Sequence, residues 1–164
     1  MAAAYLALGA NLGDRAATLR RALRALPPDF TVRAVSPVYE TEPAYVLDQP
    51  RFYNLVVAAE TDLAPLAALR RLKALEAESG REEGPRFGPR VIDLDLLLYD
   101  DVVLDTPELT VPHPRLAERA FVLVPLAAIA PEAVHPTLGR TMADLLAALG
   151  DTSAAVWPAG VTLE

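Results

Sequence analysis

The sequence predicts an α+β fold, and two observations support this prediction. Segments rich in β-branched and aromatic residues alternate with segments whose leucines recur every three or four residues. Turn residues such as Gly, Pro and Asp separate the segments, which follow the order β-α-β-β-α-β. This order favours a ferredoxin-like antiparallel sheet with helices packed on both faces.

The first strand and helix come from the start of the chain. Residues 4–9, AYLALG, are predicted to form a strand that ends at the turn NLGD. A helix is predicted from Asp14 to Leu26, because Asp14 can cap its first turn and Leu19, Leu23 and Leu26 share one face.

The middle of the chain supplies the remaining elements of the sheet. Residues 31–41 and 52–61 are predicted to form paired strands, joined by a loop that contains proline. A second helix is predicted from Leu63 to Glu78, ending near a glycine, and a further strand covers residues 91–99. The loops at 42–51 and 80–90 are long for a compact domain, which is typical of binding loops.

Two more helical patterns follow, at residues 117–130 and 141–150. With 164 residues, the chain is long enough for one well-packed core and short for two. We therefore expect a single domain over residues 1–164.

Composition excludes several classes of function. The net charge of −7 argues against nonspecific nucleic-acid binding, which requires surplus lysine and arginine. No apolar run approaches the roughly 20 residues of a membrane span, and no segment has the order of a signal peptide. We expect a cytoplasmic monomer with no membrane or nucleic-acid partner. Because cysteine is absent, any bound metal must use oxygen or imidazole ligands.

The segment RFGPRVIDLDLLLYDD, residues 86–101, contains two aspartates in an otherwise apolar strand. Side chains alternate along a strand, so Asp93 and Asp95 share a face with their Cα atoms about 6.6 Å apart. Two converging carboxylates favour a cation, and oxygen ligands completed by substrate phosphates are typical of Mg²⁺ sites. The arginine-rich residues just before the strand could supply positive charge to phosphates.

Other interpretations remain open at this point. Both aspartates could pair with arginines in a structural ion-pair network. A metal-dependent nucleotidyltransferase also carries an Asp-x-Asp pair on a strand, although its usual Gly-Ser or Gly-Gly turn is not found before this one. A third possibility is a non-enzymatic ferredoxin-like module that binds a small ligand. The segment GANLGD matches neither the dinucleotide-binding nor the Walker A pattern.

Four segments together resemble a known family. These are LGANLGDR, SPVYETEPAYVLDQPRFYNLV, the stretch from GREEGPRFGPR through VIDLDLLLYDD, and LTVPHPRLAERAFVLVPL. In order and spacing they are similar to the 6-hydroxymethyl-7,8-dihydropterin pyrophosphokinases of folate biosynthesis. The resemblance implies an ATP-dependent enzyme that transfers the diphosphate of ATP to the pterin hydroxymethyl group and releases AMP.

The resemblance also implies roles for individual residues. Asp93 and Asp95 would ligate two Mg²⁺ ions, and Arg81 and Arg90 would assist transfer as catalytic residues. Further positions match the nucleotide site and the pterin site. The ATP-binding set is Glu76, Arg81, Phe87, Arg90, Leu96, Thr110, His113 and Arg119, and the pterin-binding set is Thr41, Pro43, Ala44, Phe52, Asn54 and Phe121.

Overall fold

The computed structural model describes residues 1–42, 50–79 and 92–163 of the chain. A 3₁₀ turn at Leu116–Glu118 precedes the third helix. The strands and helices are, in chain order, β1 (Ala2–Ala10), α1 (Arg15–Ala25), β2 (Thr31–Val35), β3 (Tyr39–Thr41), β4 (Phe52–Thr61), α2 (Pro65–Glu78), β5 (Asp93–Tyr99), β6 (Leu104–Asp105), β7 (Thr110–Val111), α3 (Ala120–Ile129), α4 (Met142–Ala148) and β8 (Val156–Pro158).

The main sheet is antiparallel in all of its pairings. Its strand order is β5-β1-β4-β3-β8, and β2 also pairs with β4. Strands β6 and β7 form a separate two-stranded sheet. The predicted α+β class, with an antiparallel sheet, is confirmed.

The predicted strand at residues 31–41 is divided in two. Strands β2 and β3 both pair with β4, but the chain between them leaves the sheet at Pro37, which has no N–H to donate. Ser36 holds the break against β4, because its N–H donates to the carbonyl of Val56 and its hydroxyl accepts from the Val56 N–H, both at 2.9 Å. The predicted pairing is therefore confirmed, whereas the prediction of one continuous strand is wrong.

Helices cover both faces of the sheet, as predicted. Two apolar clusters lie on opposite sides of it. The first packs α1 and α2 against alternate residues of β1, including Leu6 and Leu8. The second packs α3 and α4, including Leu123 and Leu145, against the other face. Alternation along the central strands thus supplies an apolar surface to each helical layer.

The residues at the starts of α1 and α2 explain where these helices begin. The carboxylate of Asp14 accepts a hydrogen bond from the N–H of Ala17 at 3.0 Å, which confirms the predicted cap of α1. Helix α2 begins at Pro65, two residues later than predicted, because proline suits a first helical position, where no intrahelical N–H bond is required. The strands β6, β7 and β8 were not predicted, since two or three residues show no usable alternation.

Across the described ranges 1–42, 50–79 and 92–163, no helix combines the length and apolar character that a membrane crossing requires.

Packing of α2 on the sheet predicts a large loss of stability on truncation of Leu72, which is fully buried. Leu72→Ala should lower the free energy of unfolding by about 2–5 kcal/mol, through lost burial and the cavity left behind. The matched control is Leu138→Ala, at a side chain 49% exposed, which should cost no more than about 0.5 kcal/mol. Equal losses in urea denaturation would contradict the placement of α2.

From the environment of His135 we predict that the protein loses stability as the pH falls below neutral. Its Nδ1 accepts hydrogen bonds from the N–H groups of Thr137 and Leu138, at 3.2 and 3.1 Å, and burial lowers its pKa. A depressed folded-state pKa means that the stabilisation is present above the unfolded pKa of about 6.5 and is lost as the pH falls below it.

The variant His135→Asn keeps an acceptor at this turn but cannot titrate. Its melting temperature should therefore fall less than that of the wild type between about pH 7 and pH 5. Parallel losses in the two proteins, measured by circular dichroism, would show that His135 does not contribute to the acid sensitivity.

Candidate active site

Strand β5 separates its carboxylates from its apolar side chains. Leu94 and Leu96, together with the preceding Ile92, are at most 3% exposed and belong to the first apolar cluster. Asp93 and Asp95 alternate with them and are only partly buried, on the opposite face. The prediction that the two aspartates share a face is confirmed, so the strand contributes to the core without burying unpaired carboxylates.

The register of the sheet places an amide in line with this acidic pair. Gly9 of β1 pairs with Asp93 of β5 on one side and with Asn54 of β4 on the other. Paired residues of neighbouring strands point to the same face, and two strand spacings amount to about 10 Å. Asn54 and the aspartates therefore lie on one surface of the sheet.

Three of the predicted pterin-site residues meet at the next strand. Thr41 of β3 pairs with Phe52 of β4, and the side-chain amide of Asn54 donates to the hydroxyl of Thr41 at 2.7 Å. Thr41 is 1% exposed, so its hydroxyl is held in place, and the hydrogen bond from Asn54 to it restrains the rotamer of Asn54. The structure brings Thr41, Phe52 and Asn54 together on the face that carries the aspartates.

Gly9 is a site residue that the sequence analysis missed. A Cβ atom added to it would lie 2.5 Å from Oδ1 of Asn54 and 3.7 Å from Cδ1 of Phe52. The absence of a side chain at Gly9 therefore leaves the space that Asn54 occupies. A glycine inside a predicted strand often marks a close approach of another group, and this signal was available in AYLALG.

Helix α3 begins over the same face. Arg119 lies immediately before the helix, and the carbon of its guanidinium is 5.5 Å from the ring centroid of Phe121. Phe121 packs against the second apolar cluster. The charge of Arg119 lowers the pKa values of both Asp95 and His113, which indicates that it lies within electrostatic range of both.

His113 is tied to β5 through its backbone. Its N–H donates to the carbonyl of Leu97 at 2.9 Å, and its Nδ1 accepts from the N–H of Arg115 at 3.3 Å. Burial, followed by the charge of Arg119, lowers the pKa of His113 to about 4. The imidazole is therefore neutral at pH 7, with its proton on Nε2.

The side chains of two predicted nucleotide-site residues make contacts within the protein. The side chain of Leu96 is buried in the first apolar cluster, so a contact with a nucleotide would have to come from its backbone. Thr110 lies on β7, where its hydroxyl donates to Asp105 at 3.4 Å. The side chain of Leu96 thus lies on the face opposite the acidic pair, whereas that of Thr110 is directed toward Asp105.

Glu76 and Lys73 of α2 cover the outer edge of β5. One carboxylate oxygen of Glu76, Oε2, accepts the N–H of Leu94 at 2.6 Å, and the ammonium of Lys73 donates to the Leu94 carbonyl at 3.1 Å. Nζ of Lys73 is also 3.3 Å from that oxygen of Glu76 and 3.6 Å from Oδ1 of Asp95. Lys73 was not predicted from the sequence, although the spacing K-x-x-E places Lys73 and Glu76 on one face of a helix.

The surroundings of Asp95 make its charged form less favourable than that of an ordinary aspartate. Burial, then the neighbouring charge of Asp93, raises its pKa to about 6, against the opposing charges of Lys73 and Arg119. Two carboxylates that share one face and are partly shielded from water repel each other, and a nearby positive charge reduces this repulsion.

The donor set fits a magnesium ion that is also held by a substrate. Asp93 and Asp95 provide carboxylate oxygens, the ligand type that Mg²⁺ prefers, and Mg²⁺ commonly takes one or two carboxylates plus water and phosphate oxygens. Within the described part of the chain, no three His, Cys, Asp or Glu residues group as a metal cage.

Side chains anchor both ends of the segment that follows β3. The Asn11 amide donates to the Pro50 carbonyl at 3.1 Å, and Arg15 donates to the carbonyl of Arg51 at 2.9 Å. Arg51 in turn pairs with Glu42 at 3.0 Å. The polypeptide therefore leaves and re-enters the sheet at fixed positions beside Thr41.

Several predicted site residues lie outside the described residues. They are Pro43 and Ala44 of the predicted pterin site, and Arg81, Phe87 and Arg90 of the predicted nucleotide and catalytic sites.

Known proteins resemble this chain over most of its length. A sequence model of the family described as 7,8-dihydro-6-hydroxymethylpterin-pyrophosphokinase (HPPK) matches residues 5–131. A 2-amino-4-hydroxy-6-hydroxymethyldihydropteridine pyrophosphokinase of Pseudomonas aeruginosa is 47% identical over 146 residues, covering 88% of this chain and 90% of its own. The protein of the same name from Bacillus subtilis is 46% identical over 128 residues, covering 77% of each chain.

A solved structure supports the fold independently. The HPPK-DHPS protein of Plasmodium falciparum, crystallised with pteroate, superposes with a TM-score of 0.76 over 93% of this chain and 43% of its own, at 19% identity.

The matched family model covers the part of β1 that contains Gly9 and the whole of β5, which carries the acidic pair. From this match and from the two relatives, the chain belongs to the 7,8-dihydro-6-hydroxymethylpterin-pyrophosphokinase family.

Proposed function

We propose that the chain transfers the diphosphate group of ATP to the hydroxymethyl group of 6-hydroxymethyl-7,8-dihydropterin, giving the pterin diphosphate and AMP in folate biosynthesis. Membership of the family favours this reaction over nucleotidyl transfer and over a non-enzymatic ligand-binding module. The observation that carries the assignment is the row Asn54–Gly9–Asp93 across three adjacent strands. This row supports the proposal because the strands that carry Asn54 and Asp93 lie two strand spacings, about 10 Å, apart, with both side chains on one face.

The pterin is proposed to lie on the sheet face beside Asn54. The amide hydrogen-bonds the polar edge of the heterocycle, and Phe52 and Phe121 hold its flat ring between them. Because Thr41 restrains Asn54 through a 2.7 Å hydrogen bond, the recognising group is already oriented before the substrate arrives.

The nucleotide is proposed to bind next to β5. Asp93 and Asp95 would hold two Mg²⁺ ions, which would supply positive charge to offset the negative charge that develops during transfer. His113 offers a neutral Nε2–H donor, and Arg119 offers a fixed positive charge. Arg81 and Arg90 are proposed to engage the phosphates, as the family resemblance implies.

The chemistry assigned to the protein is positioning and electrostatic stabilisation. The pterin hydroxyl is the nucleophile, and it attacks the β-phosphorus of ATP while the bond from this phosphorus to the α-phosphate oxygen breaks. The departing AMP takes that oxygen, and the hydroxyl proton is released to solvent. The side chains hold the reacting groups in line and supply positive charge.

Replacement of Asp95 tests the reaction and the proposed metal ligand together. Wild-type protein incubated with ATP, Mg²⁺ and the hydroxymethyl pterin should give AMP without free pyrophosphate. Asp95→Asn should lower the rate by at least about a hundredfold, because even residues that only support a metal ligand commonly cost 10–100-fold. The fold should persist, since Asp95 lies outside both apolar clusters.

Asp101→Asn is the matched control, an identical change at an exposed position just after β5. Its rate should equal that of the wild type. Release of pyrophosphate by the wild type would indicate nucleotidyl transfer, and full activity of Asp95→Asn would exclude the proposed metal ligand.

Gly9→Ala tests the proposed pterin surface. The new methyl group would displace the Asn54 amide, so the KM for the pterin should rise about tenfold or more, as expected for loss of a buried hydrogen bond to the substrate. The KM for ATP should change little.

Gly13→Ala is the control, because its Cβ would meet open space while its backbone φ of +62° disfavours a side chain. It should cost about 1–2 kcal/mol of stability without raising the pterin KM. A pterin KM that is unchanged in Gly9→Ala would place the pterin elsewhere.

A further inference from the structure

Lys73 reaches the acidic pair from the opposite side of the sheet. It belongs to α2, which packs on the first apolar cluster, whereas Asp95 points to the other face. The contact is possible because β5 is the outermost strand of the sheet, so a long side chain can extend around its free edge. The ammonium then lies 3.6 Å from Oδ1 of Asp95.

Three acceptors fix the position of this ammonium. They are the Leu94 carbonyl at 3.1 Å, Oε2 of Glu76 at 3.3 Å and Oδ1 of Asp95 at 3.6 Å. Glu76 is itself 3% exposed and is held by the N–H of Leu94 at 2.6 Å. The side chain of Lys73 is 45% exposed, yet these three acceptors hold its ammonium at the edge of β5.

The local charges explain why a cation is needed at this position. Asp93, Asp95 and Glu76 bring three carboxylates to a short stretch of one strand, and among the described residues Lys73 and Arg119 are cations in electrostatic range of Asp95. A lysine side chain is ordinarily an ammonium near neutral pH, and the carboxylate oxygens of Glu76 and Asp95, 3.3 and 3.6 Å from Nζ, stabilise that form. Lys73 thus remains an ammonium at neutral pH.

We propose that Lys73 is a positioning residue that serves as the resident counter-ion of the acidic pair and weakens the binding of free divalent cations there. Stable occupancy by a cation then depends on the additional phosphate oxygens that a nucleotide brings. This inference rests on the proposed function, in which Asp93 and Asp95 are the metal ligands.

The physical basis is competition between like charges. A divalent cation bound to Asp95 would lie within a few ångströms of the ammonium, where unit charges repel appreciably even at high dielectric constant. Removal of the ammonium should therefore strengthen the binding of a free cation by about tenfold. A nucleotide offsets the repulsion, because its phosphates add negative charge and further oxygen ligands.

The test is a titration of nucleotide-free protein with Mn²⁺, with free Mn²⁺ measured from its electron paramagnetic resonance signal. Lys73→Gln removes the charge but keeps a side-chain donor for the Leu94 carbonyl. It should bind Mn²⁺ about tenfold more tightly than the wild type. Lys73→Met is a second neutral variant and should show the same gain.

Two controls separate local charge from other effects. Lys73→Arg keeps the positive charge and should bind Mn²⁺ like the wild type. Arg33→Met removes one positive charge from β2, where Arg33 pairs with Glu60 at 2.9 Å, and should leave the Mn²⁺ affinity unchanged. Thermal melting of each variant checks that the fold is intact.

The dependence on nucleotide is measured in the same proteins. Addition of a non-hydrolysable ATP analogue should increase Mn²⁺ affinity more in the wild type than in Lys73→Gln. Equal increases would overturn the proposal that Lys73 makes cation binding depend on the nucleotide.

Asp95→Asn distinguishes failure of this inference from failure of the proposed function. If Asp95→Asn binds Mn²⁺ as tightly as the wild type, then the proposed metal site is wrong, and the role proposed for Lys73 is wrong as well. If Asp95→Asn loses Mn²⁺ while the neutral Lys73 variants bind it no more tightly than the wild type, only the role of Lys73 is overturned.

Discussion

The antiparallel pairing of β5 with β1 is the constraint on which the candidate site depends. This pairing fixes which side chains of β5 face the first apolar cluster and which face the ligand side. A slip of one residue would exchange the two sets, burying Asp93 and Asp95 among the leucines at a prohibitive cost. Burial of the leucines therefore determines the position of the carboxylates. The register that is most stable is also the one that leaves both aspartates on the candidate ligand face.

The outer edge of β5 presents a second physical problem, for which α2 supplies side-chain partners. An outermost strand has backbone groups without a partner strand, and these invite pairing with another chain. Glu76 and Lys73 bond the N–H and the carbonyl of Leu94, so both groups of this residue are satisfied by side chains. The same two side chains bring one negative and one positive charge to the acidic pair. Protection of the edge and control of local charge are thus performed by a single helical turn.

Much of this arrangement could be predicted from the sequence, because it rests on strong local patterns. Alternation in VIDLDLLLY predicted the shared face of the aspartates, and Asp14 predicted the start of α1. The break at Pro37 was missed, since residues on both sides of it have high β propensity and pair with the same strand. Long-range contacts were harder still: nothing local to Lys73 indicates that it reaches around β5 to Asp95. The approach of Asn54 to Gly9 likewise depends on the register between β1 and β4.

The central claim is that the cation and the pterin-recognising amide share one face of the sheet near β5. It can be tested by nuclear magnetic resonance, using paramagnetic broadening by Mn²⁺ bound together with a non-hydrolysable ATP analogue, with Mg²⁺ as the diamagnetic reference. Asn54 lies two strand spacings from β5, about 10 Å, whereas Trp157, the single tryptophan, lies on β8, four spacings or about 19 Å away. The account predicts that the Asn54 side-chain amide signals broaden at Mn²⁺ levels that leave the Trp157 indole signal sharp. Equal broadening of the two, or earlier loss of the Trp157 signal, would contradict it.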